Sequence, residues 1–135
     1  MKINSLVTNI FNSKAKLILV IYWIFLFTLT TLPTVPIDLG FQWQDKVNHT
    51  IAFTILSFLI YNYLSILKYS RKKNIITTFI VIAIYAAFDE LHQPYFGRIC
   101  DIWDFVFDLI GGIIGIILYL KYSKMVKDGN LHKTS

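Results

Sequence analysis

The sequence predicts an all-α, polytopic membrane protein with four transmembrane helices and both termini cytoplasmic. Three observations predict it. The 135-residue chain is 56% hydrophobic, with mean hydropathy +0.58, and only 16% of it is charged, against about 25% in a soluble domain. Four apolar runs of near-spanning length are joined by short polar connections that leave no room for a soluble insert. The basic residues alternate sides along those runs.

A helical span needs about 20 residues at 1.5 Å each, and a helix satisfies its own backbone hydrogen bonds in lipid. The first apolar run, residues 17–32, is ended by Pro33 and Pro36. Lys14 and Lys16 precede it as in a signal peptide, but Thr30-Thr31-Leu32-Pro33 lacks the small residues of a cleavage site. It reads as an uncleaved helix, uncharged from Leu17 to Phe27 and mainly a packing and anchoring element. The second run covers residues 47–67, the third 75–91 and the fourth 102–120. The first and third are short and borrow a turn from their flanks. The chain thus divides into a cytoplasmic segment (1–16), a four-helix membrane domain (17–120) and a cytoplasmic polar tail (121–135), in which His132 is given no role.

Orientation follows from Lys and Arg. Lys2, Lys14 and Lys16 precede the first run, Lys68, Arg71, Lys72 and Lys73 join the second to the third, and Lys121, Lys124, Lys127 and Lys133 follow the fourth. That is 11 of 13, with only Lys46 and Arg98 on the alternate side. The positive-inside rule puts both termini and the central loop in the cytoplasm. The same distribution excludes nucleic acid as the reason for the net charge of +5: the basic groups are juxtamembrane clusters, without interleaved stacking aromatics. The single cysteine, Cys100, permits no intrachain disulfide and reads as a small loop residue.

Acids are segregated the other way. Asp38, Asp45, Asp89, Glu90, Asp101, Asp104 and Asp108 lie towards the outer face, with His49, His92, Lys46 and Arg98; only Asp128 lies inside. Acids contribute little to topology, and a charge at membrane depth costs roughly 2.5–3.5 kcal/mol on insertion scales. The spacing calls for another cause. Asp101, Asp104 and Asp108 recur at three and four residues, one face of a helix. Asp45 and His49 are four apart, as are Tyr85, Asp89 and Gln93. Three helices offering polar faces at one end would form a polar pocket opening outward. Gly111, Gly112 and Gly115 follow, and the Gly111/Gly115 pair is a small-xxx-small pattern that permits close helix packing beneath it.

The stretch Asp89-Glu90-Leu91-His92-Gln93, then Gly97-Arg98, Asp104, Asp108 and the glycines Gly111, Gly112 and Gly115, resembles the VanZ-like family pattern DExxQ…GR…D…[ND]…G…G. A second block, Asp45-Lys46-Val47-Asn48-His49, is similar to the family's Asp-Lys and His at a helix start. The two blocks and four spans cover residues 17–120. The chain departs from relatives in having Phe96 where many have Pro before Gly-Arg, and Asp108 where many have Asn. The resemblance implies a small multi-pass protein of the bacterial plasma membrane. The name-giving member is linked to low-level resistance to the glycopeptide teicoplanin, which carries no reaction with it.

The polar cluster admits readings of different class. As a structural network, Arg98 would pair with Asp101 or Asp104, and His49 with Glu90, tying helix ends together. As a binding site, Asp45, Lys46, His49, Asp89, Glu90, His92, Gln93, Arg98, Asp104 and Asp108 would hold an amphipathic ligand: a lipid headgroup, a lipid-linked envelope precursor or a glycopeptide. Trp43, Tyr95, Phe96 and Trp103 would wall it, or serve singly as an interfacial aromatic belt. As a membrane enzyme, Glu90 or Asp104 would be a base and His49 an acid, with Arg98 on a phosphate or carboxylate. No cofactor motif, zinc-type spacing or nucleophile elbow is evident; a divalent metal on oxygen ligands is a minority expectation. Four helices without an internal repeat make a poor transporter. The binding reading is preferred.

Overall fold

Four apolar helices in the computed structural model form one bundle. The structure describes residues 2–31 and 43–131, with side chains for 13–31, 43–126 and 128. Pro33, Pro36, Asp38, His132 and Lys133 lie outside the described residues, as do the side chains of Lys2 and Lys127. The elements are α1 (Lys2–Thr31), α2 (Gln44–Ile66), α3 (Arg71–His92), a 3₁₀ turn (Gln93–Phe96) and α4 (Ile102–Leu131). All four are long and apolar enough to cross a membrane, over Ser13–Thr31, Gln44–Ile66, Arg71–Phe96 and Ile102–Val126.

The helices outrun the apolar stretches that predict them. α1 begins fifteen residues before Leu17, α3 four before Ile75, and α4 continues eleven past Leu120. Hydropathy marks what lipid can cover, whereas backbone hydrogen bonding continues through Lys, Asn and Ser until a stop signal arrives. Such signals are present around α3. The Ser70 side chain accepts from the Lys73 backbone N–H at 3.3 Å and caps its start. At the far end, Pro94 lies in the 3₁₀ turn and Gly97 closes it in the left-handed region at φ 76°. A Cβ at Gly97 would meet nothing within 4 Å, so it is conformation that favours glycine there.

Parallel pairs organise the bundle. α2 and α4 run the same way: His49 meets Asp108 at one end and Ser65 meets Tyr119 at the other. Their backbones come close enough that a Cβ on Gly111 would collide with the Thr50 carbonyl, and one on Gly115 with the Thr54 carbonyl. Gly112 faces α3 instead, where a Cβ would stand 2.6 Å from Ile82 Cγ2. Close approach brings side-chain hydroxyls of α2 onto carbonyls of α4. Thr54 Oγ1 donates to Gly111 O at 3.1 Å and Ser57 Oγ to Gly112 O at 2.7 Å. α1 is the peripheral member, joined to α2 by Tyr22 donating to Ala52 O at 2.9 Å and to α3 by Trp23 standing edge-on to Tyr85.

The core is Phe53, Leu56 and Ile82 with Leu19, Leu26, Ile60, Tyr85 and Ala86, and a second cluster of Tyr61, Ile116 and Tyr119 lies further along α2 and α4. Leu17, Ile21, Ile24, Ile84, Ile113 and Ile117 are exposed on the outside of the bundle. Apolar surface on the outside and polar groups within reverse the soluble arrangement, and suit a lipid bilayer as solvent.

Candidate functional site

The polar groups gather where α2 and α4 begin and α3 ends. α2 starts at Gln44, so Asp45 and His49 lie one turn apart on its first two turns. Asp104 is in the first turn of α4 and Asp108 a turn deeper, about 9 Å from Ile102 along the axis. Asp101 precedes the helix. Its carboxylate accepts from the Trp103 backbone N–H at 2.9 Å, which caps α4. Asp45 and Asp104 sit at helix N-termini, where the macrodipole favours an anion. Asp89 and Glu90 are in the last turn of α3, where it opposes one.

Burial is nearly complete for the inner groups. His49, Asp89, Glu90, Gln93, Asp104 and Asp108 all belong to the interior, and Asp108 is 0% exposed. His49 Nδ1 is 2.9 Å from Asp108 Oδ1. Gln93 Nε2 donates to Asp89 Oδ2 at 3.4 Å and to Glu90 Oε1 at 3.3 Å. Glu90 Oε2 accepts from the Asp101 backbone N–H at 2.9 Å, which joins the end of α3 to the start of α4. Ligand atoms of His49, Asp89, Glu90 and Asp108 lie within 4.8 Å of one another. Gln93 Oε1 and Asp108 Oδ2 are buried without a hydrogen-bond partner.

A half-exposed rim covers this interior. Lys46 Nζ bridges Asp101 Oδ2 at 2.6 Å and Asp104 Oδ1 at 2.7 Å, tying α2 to α4. The Lys46 hydrogen bond holds the Asp101 carboxyl below its ordinary value of 3.8, with help from the Trp103 backbone N–H. Arg98 Nη2 stands 3.5 Å from Asp45 Oδ1, an outlying and solvated pair.

The structural-network pairings expected from sequence are therefore corrected. Arg98 reaches Asp45 rather than Asp101 or Asp104, because Lys46, three residues before His49 on α2, already faces α4 and takes both acids. His49 pairs with Asp108 rather than Glu90, although a Glu90 oxygen remains within 4.8 Å. Asp101 precedes α4 rather than lying on it, yet its carboxylate faces the same Lys46 ammonium as that of Asp104. His92 stands apart from the acids. Its ring packs 4.7 Å from Phe96, 5.2 Å from Phe88 and 5.4 Å from Phe27. Trp43, Tyr95 and Trp103 are exposed at this same end.

Sequence reasoning passed over the hydroxyls of Thr54 and Ser57, which meet α4 backbone just below the acids. Their spacing of three was a usable signal. It also passed over an apolar groove of about 360 Å³ lined by Val20, Trp23, Ile24, Phe27 and Tyr85, on the side of the cluster where α1 meets α3.

No curated protein and no solved structure matches the chain. The family model described as VanZ/LLP1 matches residues 4–125, which takes in all four helices and every residue of the polar cluster. By its sequence over that length, with four membrane-spanning helices to match, the chain belongs to the VanZ/LLP1 family.

Proposed function

We propose that this protein recognises the polar head of an amphipathic cell-envelope component, a lipid-linked precursor or a glycopeptide, through the rim and floor of the polar cluster. The reading places both termini in the cytoplasm of a bacterial cell, by the alternation of Lys and Arg, and the cluster at the outer face of the plasma membrane. The observation that carries it is the continuity from the part-exposed rim of Lys46, Asp101 and Arg98 to the buried carboxylates of α3 and α4 and the buried His49 of α2. Intramembrane ionisable groups are a functional-site hypothesis by default. A merely structural network has a reason to put acids at the N-termini of α2 and α4. Burying Asp89 and Glu90 against the C-terminal dipole of α3 works against stability, which supports a functional use for them.

The buried His49–Asp108 pair favours a second reading, a membrane enzyme using acid–base chemistry on the same class of molecule. One experiment addresses the first reading and prepares for the second. A teicoplanin-susceptible host expresses the wild type, Glu90→Gln or Asp104→Asn at matched membrane levels. Protection by the wild type and loss in both variants is the expected result. Three strains indistinguishable from empty vector overturn the glycopeptide arm. Photocrosslinking to lipid-linked precursors then tests the other arm, which fails if labelling avoids the rim residues.

A further inference from the structure

We propose that His49, Asp89, Glu90 and Asp108 form a binding site for one divalent cation of the Mn²⁺ type between α2, α3 and α4. The inference goes beyond the recognition reading and holds whatever molecule the rim takes.

Three carboxylates and one imidazole, all buried, present ligand atoms within 4.8 Å of one another. Ligands about 2.1 Å from a common ion stand about 3–4 Å apart, so the four need only a small inward movement. Charge is the second consideration. Lys46, the nearest basic side chain, is committed to Asp101 and Asp104. Arg98 is outside, on Asp45. The buried set therefore carries up to three negative charges against a single imidazole, and buried charge without a partner is strongly unfavourable. A divalent cation with neutral His49 brings the set close to balance.

Independent of the acids' number, one oxygen is left vacant. Asp108 is 0% exposed, and its Oδ2 has no hydrogen-bond partner while Oδ1 is engaged by His49. Gln93, also buried, keeps the neighbouring ligands oriented by donating Nε2 to Asp89 Oδ2 and Glu90 Oε1, and the Asp101 backbone N–H fixes the other Glu90 oxygen. Such outer hydrogen bonds are how metal sites hold their carboxylates. Tyr85, one turn before Asp89 on α3, has a buried hydroxyl without a hydrogen-bond partner. The alternative trio of Asp45, His49 and Asp104 is the weaker choice, since Asp45 is exposed and Asp104 is held by Lys46. Oxygen ligands with one imidazole and no sulfur suit Mn²⁺ and its harder neighbours.

The full chain, purified in detergent, stripped with chelator and equilibrated with MnCl₂, is assayed for bound manganese and by pulsed EPR for ¹⁴N coupling. The expected result is one Mn²⁺ per chain with a single histidine nitrogen. That nitrogen signal should vanish in His49→Gln, and affinity should fall in Asp108→Asn, while Asp128→Asn at the far end of α4 behaves as wild type. Where Asp108→Asn does not elute as a folded protein, Gln93→Ala carries the test, with affinity expected to drop roughly 10–100-fold. Wild type binding under about a tenth of an equivalent overturns the proposal, as does Mn²⁺ without ¹⁴N coupling or uptake unchanged by these variants. Protonated carboxyl bands in the infrared under the same conditions would then identify protons as the compensating charge.

Discussion

Adding one methyl group at Gly115 tests how the bundle is held together. In Gly115→Ala the new Cβ collides with the Thr54 carbonyl and stands 2.7 Å from Ser57 Cβ and 3.0 Å from the Phe58 backbone nitrogen. Two of these three are backbone atoms of α2, which no rotamer change can move. The helices must separate by roughly an ångström to reach ordinary contact, near 3.5–4 Å. Separation stretches the Thr54–Gly111 and Ser57–Gly112 hydrogen bonds of 3.1 and 2.7 Å. Interhelical hydrogen bonds in membranes contribute about 0.6–1.7 kcal/mol each, and overpacking costs typically 1–3 kcal/mol. The two overlap, so a loss of about 2–5 kcal/mol is expected. Gly112→Ala is the comparison: its Cβ meets no backbone atom, only the Ile82 side chain at 2.6 Å from Cγ2, a stiff buried group that must shift, so a smaller loss of about 1–2 kcal/mol is expected. Reversible unfolding in mixed micelles, or steric trapping in bicelles, reads the difference. Gly115→Ala as stable as wild type, or no worse than Gly112→Ala, refutes the close α2–α4 contact as the main packing constraint.

Other outcomes follow from the charged rim. Lys46→Met leaves Asp101 and the buried Asp104 without their shared cation and is expected to destabilise by about 3 kcal/mol, with part of that recovered in Lys46→Met/Asp104→Asn, measured in the same unfolding assay. Arg98→Gln removes an exposed pair at 3.5 Å and should cost no more than about 1 kcal/mol; a larger loss by equilibrium unfolding would mean that Arg98 has a partner other than Asp45. Because the Lys46 hydrogen bond lowers the Asp101 carboxyl below 3.8, its stabilising contribution is present above the unfolded value and disappears as pH falls through the lower folded value. An Asp101 carboxyl resonance titrating at or above 3.8 in the folded protein, followed by NMR, would contradict that pairing.

Much of this architecture is legible in residues whose constraint is one-dimensional. An apolar run has to be about 20 residues long to cross lipid, whatever it packs against, and the four runs coincide with the cores of α1 to α4. Helical spacing of three and four likewise places Asp104 with Asp108, and Tyr85 with Asp89, before any fold is known. Pairing is different in kind. Lys46 and Arg98 were equally available cations in the sequence. The choice between them depends on how α2 is rotated about its axis, where one residue is 100°. His92 sits inside the densest acidic stretch, yet its contacts are aromatic, because it lies at the last turn of α3 on the side facing Phe27 and Phe96.

The sequence by itself determined that this is a four-span membrane protein, which end of it carries the acids, and which family it resembles. These depend on composition, length and local order along the chain. Tertiary structure alone decided that His49 meets Asp108, that Lys46 spans two acids, and that Asp108 Oδ2 is buried without a hydrogen-bond partner. The physical reason is that such contacts join residues 55 to 59 positions apart. Their formation is set by the rotation and close approach of α2 and α4 around Gly111 and Gly115, and neither quantity is encoded at any single position.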